Sequence, residues 1–405
     1  MVAALRSSAI RKTTRREICS RGLLVTPERV LGRRLMSDSS RTAPNVEQPP
    51  ASPRNAPAIL IVKLGALGDI VHALPALAAL RSMWPDARID WLVDAKHLAL
   101  VELVEGLDEI VPISVGKMRG PLGLRRTIGH LRARHYDICL DLQGLVKSAL
   151  LAVASGARRV VGFPRDSLRE PAARFLYRET GGRDEGHVID KNLSLLDAIG
   201  VRDARNWTSH LKKAFPLRVV ASPVPAVARS LMGAHDGLVL MNPGAAWPNK
   251  RWPAERFAEL ARRLEARRAL RSLVLWGPRE ESLAATIERL SHGAARMAPA
   301  TEVSDLVALA RDATLMVSGD TGPLHLAAAV GAPVVGLYGP TDPTRNGPWH
   351  PSDVTLSRYA DCQCRFKRRC TSADWCLGGL TVDEVEAAVV RRLGARAERS
   401  QQDDG

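Results

Sequence analysis

The chain has 405 residues, with 58 Lys and Arg against 43 Asp and Glu, and a formal net charge of +15. Its 45% hydrophobic content is enough for two full cores. The positive excess favours an acidic partner, whether nucleic acid, an anionic membrane surface or a phosphorylated substrate. The apolar runs stay below the roughly 18–20 residues a membrane span needs, so no spanning helix is expected and any membrane contact would be peripheral.

Residues 1–57 carry eleven Lys and Arg against four acids and show no hydrophobic period, so they read as a disordered basic tail. The Arg-rich, acid-poor character resembles an organellar transit peptide. A true start at Met36 or later is an equal alternative, and the two stay open.

From Ala58 the chain alternates strands and helices. Strands are expected at Ile59–Lys63, Ile89–Val93, Glu109–Ile113, Asp137–Asp141 and Val160–Phe163. Helices are expected at Ile70–Met83 (irregular at first because of Pro75), Leu98–Val104, within the basic stretch 117–134, at Gly144–Ala154 and at Asp190–Ile199. Residues 165–183 read as basic and irregular. A Lys-, Pro- and Ala-containing stretch at 212–230 marks the connection, with a linker at 216–235. A second series follows, with strands at Leu238–Met241, Ser272–Trp276, Thr314–Ser318 and Val334–Tyr338. Its helices are Pro253–Arg267, Glu280–Leu290, Pro323–Val330 and a last one at Val382–Arg392. This is an α/β pattern of two doubly wound parallel sheets, 58–215 and 236–392, with a polar tail at 393–405. Ligands of such sheets bind at the carboxyl ends of the strands.

Four loops at those ends carry candidate chemistry. Gly319-Asp320-Thr321-Gly322 opens onto a helix, where free N–H groups and the positive dipole end suit a phosphate. Thr321 would cap that helix or touch phosphate, and His325 follows one turn on. Asp69, after Gly65-x-x-Gly68, is placed either to take a proton from an attacking hydroxyl or simply to cap a helix, and His72 either bonds it or packs. Lys250, between Trp247 and Trp252, can neutralise a diphosphate. Lys147 in DLQGLVKS, with Arg165 and Arg169 nearby, could meet an anionic acceptor or form a solvated basic face. The sequence has no GxGxxG and no GxxxxGK[ST], which disfavours dinucleotide and P-loop binding. It has no Asp-x-Asp beside these loops, so no catalytic metal is indicated. Six cysteines occur, four of them at 362, 364, 370 and 376. Without paired CxxC knuckles a reduced, partly buried loop is favoured over a zinc site.

KLGALGDIVHALPAL, DLQGLVKSALL, NPGAAWPNKRWPAERF and GDTGPLHLAAAVGAPVVGLYGPTDP, in that order and followed by the cysteine cluster, resemble the ADP-heptose:lipopolysaccharide heptosyltransferases, glycosyltransferase family 9. The resemblance runs from about Ile59 to Val390. QGLVKSA and Arg169-Glu170-Pro171 are most similar to heptosyltransferase I, the cysteine cluster to other members. The resemblance implies a GT-B fold, two Rossmann-like domains facing across a cleft: an acceptor-binding first domain and a nucleotide-sugar-binding second domain. A closing helix often packs back on the first. It implies inverting transfer of heptose from ADP-heptose to the Kdo–lipid A inner core, with no metal and no cofactor, at the cytoplasmic face of the inner membrane.

By the same resemblance Asp69 is the base and Lys250 holds the diphosphate. Asp320, Thr321, Gly322 and His325 form the donor loop, with Thr301 against adenine and Glu281 (or Glu280 in another register) at the nucleoside. Ala245 and Ala246 replace paired threonines of the family, leaving only backbone N–H groups to the phosphate. Lys147, Arg169 and Gly68 fall on the acceptor side. A later core acceptor, another nucleotide sugar or a non-catalytic nucleotide-sugar module are the alternatives. Nucleic-acid binding is not expected, since much of the charge lies in the tail and no aromatic-rich basic motif appears.

Overall fold

Strand β1 (Ala58–Val62, AILIV) is buried along all but its first residue. Continuous branched apolar runs of this kind suit a strand covered by helices on both faces. The computed structural model describes residues 56–114, 121–183, 186–201, 214–233, 237–371 and 375–403. The basic tail lies outside them.

Along the first half, β1 is followed by β2 (Arg88–Asp94), β3 (Glu109–Ile113), β4 (Ile138–Asp141), β5 (Arg159–Gly162) and β6 (Glu179–Thr180). The second half has β7 (Gly237–Asn242), β8 (Leu270–Val274), β9 (Ala295–Met297), β10 (Leu315–Gly319), β11 (Val334–Tyr338) and β12 (Val354–Ser357). The sheets run β3-β2-β1-β4-β5-β6 and β12-β11-β10-β7-β8-β9, all pairs parallel. Both have the 3-2-1-4-5-6 order of a Rossmann sheet. The order reverses between β1 and β4 and again between β7 and β10, so each half opens a crevice at those strand ends. Register is in step there, with Ile59 opposite both Ile89 and Ile138, and Val317 opposite both Met241 and Val335.

Several elements differ from the sequence reading. The helix expected at Ile70–Met83 is two, Leu67–Val71 and Leu74–Met83, with Pro75 in the first turn of the second. Proline is tolerated there because it lacks only an N–H that has no intrahelical partner. β6 lies inside the stretch read as irregular. β9, β12 and a helix at Val303–Asp312 had no sequence assignment. The connection contains a helix, Val224–Met232, packed on Val303–Asp312; residues 202–213 lie outside the described set. The last helix, Val382–Asp403, packs on the second sheet and on helix Ala254–Arg268. Val385, Ala388 and Val389 are fully buried in the second core, and Glu386 pairs with Arg267 at 2.8 Å, so its apolar stripe is already used there.

The halves meet directly where helix Leu67–Val71 packs on helix Gly322–Ala329. A Cβ on Gly68 would lie 2.7 Å from Cδ2 of His325, and one on Gly322 would lie 2.8 Å from Cδ2 of Leu67. Only glycine permits that approach. His187 adds a bond across the halves, Nε2 to the Gly347 carbonyl at 2.9 Å.

Asp141, at the end of β4, organises the loop after it and is fully buried. Its Oδ1 accepts from the N–H groups of Gln143 (2.9 Å) and Gly144 (3.1 Å), and its Oδ2 from the hydroxyls of Ser148 and Tyr177 (2.8 Å each). Burial raises its pKa against the pull of those four donors. Orphaning buried donors costs about 1–3 kcal/mol. Asp141→Ala should therefore lower unfolding free energy by at least that much, and Tyr177→Phe by about 1 kcal/mol. Urea denaturation checks both, and wild-type stability in Asp141→Ala would contradict the assignment.

Candidate active site

Asp320 follows β10 and is almost fully buried. Its Oδ1 accepts from Nδ2 of Asn346 (2.8 Å) and lies 3.0 Å from Nε2 of His325. Its Oδ2 accepts from Oγ1 of Thr341 (2.7 Å) and from Nζ of Lys250 (2.5 Å). Burial alone would raise this carboxyl, but the hydrogen bond and charge of His325, and then those of Lys250, hold it well below the usual carboxylate range. Lys250 comes from the loop after β7, and its ammonium also sits 4.6 Å from the Trp247 ring centroid. Thr321 occupies the N-cap position of helix Gly322–Ala329 without capping it. Its hydroxyl instead meets Nδ2 of Asn242 (3.0 Å) and Oγ of Ser318 (3.1 Å). A helix end with no side-chain cap keeps its N–H groups for solvent or an anion.

In the first half the β1 loop is tied to the β4 loop, since the N–H groups of Leu64 and Gly65 donate to Oε1 of Gln143 (3.1 and 3.3 Å). Beneath it, buried Lys63 donates to the Leu142 carbonyl at 2.6 Å, and burial lowers its pKa. Asp69 stands in the first turn of helix Leu67–Val71, where Oδ2 accepts from the Ala66 N–H at 3.0 Å. It thus caps the helix and also lines the cleft.

A cleft of about 770 Å³ lies between the two sets of loops. From the first half it is lined by Gly68, Asp69, His72 and Arg169; from the second by Ala245, Ala246, Lys250, Thr301, Asp320, Thr321, Gly322 and His325. Two expected residues lie elsewhere. Lys147 is exposed on its helix and does not line the cleft. Glu281 is exposed as the first residue of helix Glu281–Leu290, and the cleft carboxylate is Glu280. Glu280 turns back from the N-cap position, accepting from the Gly277 N–H at 3.1 Å and pairing with Arg251 at 3.3 Å. Its carboxylate fills the space a Cβ on Gly244 would need.

A histidine cluster crosses the cleft. The His72 ring is 4.4 Å from His325 and 5.4 Å from His187, and His187 is 4.9 Å from Trp349, centroid to centroid. His72 packs there. Burial, and then the neighbouring imidazoles, lower it well below the ordinary range. Burial pushes His187 down to about 4 against its bond to Gly347. The second-half partner His325 leaves buried Nδ1 without a hydrogen-bond partner. His187, Asn346 and Thr341 were not singled out from sequence. Thr341 lies in the quoted GPTDP run, but His187 follows an irregular segment with no local pattern to flag it.

The model of glycosyltransferase family 9 (heptosyltransferase) matches residues 124–376. The chain belongs to that family. This family 9 heptosyltransferase, an enzyme of lipopolysaccharide core biosynthesis, is 30% identical over 329 residues to lipopolysaccharide heptosyltransferase 1 of Pseudomonas aeruginosa, covering 77% of this chain and 87% of the relative. Two solved structures share the fold. A family 9 glycosyltransferase from Veillonella parvula has a TM-score of 0.68 at 22% identity, covering 83% of this chain and 97% of that one. The Escherichia coli heptosyltransferase WaaC with ADP has a TM-score of 0.60 at 24% identity, covering 82% and 97%. The family 9 fold is therefore GT-B, as the two matching sheets require.

The cysteine loop of the enzyme braces this site. Cys362 and Cys364 are buried, and the four thiols at 362, 364, 370 and 376 are unbridged. Cys364 and Cys370 are 3.4 Å apart at sulfur, and burial with the nearby Cys362 pushes Cys376 up to about 12. Among the described residues no group of three or more His, Cys, Asp or Glu is arranged to hold a metal ion. The loop reaches the cleft through Phe366, and Asn249 beside Lys250 donates to the Lys367 carbonyl at 3.0 Å.

Two outcomes follow. Removing one partner of a buried ion pair costs about 3–5 kcal/mol, so Lys250→Ala should destabilise by about 3 kcal/mol, with much of it recovered in Lys250→Ala/Asp320→Asn. Urea denaturation decides it, and equal stability of Lys250→Ala and wild type would rule the pairing out as a stabiliser. For the histidines, a folded-state pKa below the unfolded 6.5 means the unfolded chain binds the proton first. Their stabilisation is full above about pH 6.5 and is lost as pH falls toward 4, by at most about 1.4 kcal/mol per pH unit for each imidazole. Replacing His187 with Gln should flatten the melting-temperature profile across that window, whereas an unchanged slope would place the dependence elsewhere.

Proposed function

We propose that the enzyme is an inverting, metal-independent transferase moving heptose from ADP-heptose to the Kdo–lipid A inner core, held peripherally at the cytoplasmic face of the inner membrane. One observation carries this reading: a single cleft is lined by Asp69 from the first half and by Lys250, Asp320 and Thr321 from the second. Inversion calls for that arrangement, with a base on one side of the sugar and a stabilised leaving group on the other. An acceptor hydroxyl gives its proton to Asp69 while its oxygen attacks the anomeric carbon. The bond from that carbon to the β-phosphate oxygen breaks, and ADP leaves with the electron pair.

Lys250 and the uncapped N–H groups at Thr321–Gly322 offset the charge gained by the diphosphate, and Asp320 with His325 positions Lys250. Ala245 and Ala246 offer backbone N–H groups to phosphate, while Thr301 and Glu280 border the nucleoside end. Arg169 and Gly68 face the acceptor. Closure across the contact between helices Leu67–Val71 and Gly322–Ala329 limits hydrolysis of the donor by water.

Asp69→Asn is the direct test. Transfer to Kdo–lipid A, read as a heptose mass gain by mass spectrometry, should fall by roughly a thousandfold, within the range a general base supplies, with ADP affinity unchanged. Wild-type turnover in that variant would remove Asp69 as the base. Activity of wild type only on an acceptor that already carries heptose would move the enzyme to a later step.

A further inference from the structure

Helix Val146–Ala154 carries Lys147, Leu150 and Val153 at three-residue spacing, all exposed, with Leu150 at 53% and Val153 at 44%. The segment Pro171–Leu176 packs on this helix and presents Phe175, 81% exposed, the most exposed large apolar side chain among the described residues. Cations frame these three. Lys147 stands in the first turn. Arg132 reaches the far end, Nε to the Ala154 carbonyl at 3.1 Å. Arg174 and Arg178 flank Phe175 and bond the Tyr177 and Arg158 carbonyls at 3.3 and 2.9 Å. The hydrogen bonds these arginines make go to backbone carbonyls, and among the described residues none of the three forms an ion pair with a carboxylate. Another exposed apolar pair, Val227 and Leu231, differs in this respect, because the neighbouring Arg229 is paired with Asp312 at 2.7 Å.

We infer that this face docks the enzyme on an anionic lipid bilayer. Leu150, Val153 and Phe175 enter the boundary between headgroups and acyl chains, while Lys147, Arg132, Arg174 and Arg178 meet headgroup phosphates. An apolar body ringed by cations is what an anionic interface selects, and a patch left exposed in a folded protein marks an interaction surface. The face is also joined to the cleft through the chain. Arg169, which lines the cleft, lies two residues before the Pro171–Leu176 segment and six before Phe175. A lipid-anchored acceptor in the docked bilayer would therefore emerge beside the cleft mouth. Lys147 finds its place here instead of in the cleft. The inference deepens the proposed lipid-linked acceptor and rests on that reading.

The test uses the full chain and vesicles of phosphatidylcholine alone or mixed with phosphatidylglycerol. Wild type should partition onto mixed vesicles in a salt-sensitive way. L150S/F175S, at an unchanged melting temperature, should bind them about tenfold more weakly because apolar burial and charge attraction add in free energy. A basic tail that also binds would not hide this difference, since its contribution is common to both proteins. Arg178→Glu should weaken binding to mixed vesicles and leave binding to phosphatidylcholine unchanged. Equal partitioning of wild type and L150S/F175S overturns the inference. So does light scattering that shows a wild-type dimer broken by L150S/F175S, which would make the face a contact between two copies. The acceptor is tested separately, on a Kdo-bearing core freed of its acyl chains. There L150S/F175S should match wild type, and failure of wild type on both soluble and lipid-linked acceptors would refute the acceptor without touching the vesicle result.

Discussion

A single buried carboxylate holds the second half of the cleft together. Asp320 receives four side-chain groups from four places in the sequence: His325 in the following helix, Lys250 after β7, Thr341 after β11 and Asn346 further on. A charge this deep is tolerable only when fully paired and hydrogen-bonded. The cost of burying it therefore fixes the positions of those four groups relative to one another. The loop that presents Lys250 has little regular structure beyond one short turn. Its geometry comes from Asp320 on one side and, on the other, from the cysteine loop through Asn249 and through Trp375, whose indole donates to the Arg251 carbonyl at 2.9 Å.

The two halves solve the same problem with different chemistry. Each places its loops at the point where strand order reverses. In the first half, Asp141 and Gln143 hold the β1 and β4 loops by accepting N–H and hydroxyl bonds. In the second, an ion pair performs the same task. The first half thus brings the Asp69 carboxylate to the cleft, and the second brings the Lys250 ammonium. The chemistry of the cleft follows from putting unlike anchors on like scaffolds.

The doubly wound halves were legible because buried parallel strands leave apolar runs of four to six residues between helical periods. β6 and β9 escaped for the opposite reason: two and three residues of mixed polarity at a sheet edge leave no period to read. Most of the residues expected in the cleft do line it, because chemistry-bearing types sit just after strands, as with Asp69, Lys250 and Asp320. Glu280 and Glu281 show the limit. Adjacent identical residues at a helix start differ only in which one turns back over the glycine of another loop, and that depends on a long-range contact. His187 was hidden likewise, since its role exists only once His72 and His325 are brought to it across the halves.

Gly68 and Gly322 set a minimum. Each lets its neighbour approach to a distance that a single methyl group would occupy. The close approach of the helix carrying Asp69 to the helix that follows Asp320 therefore depends on two missing carbon atoms. A side chain at either position would act as a spacer, propping the halves apart whatever ligand lay between them. How tightly the cleft can shut is thus encoded where the chain carries no side chain at all.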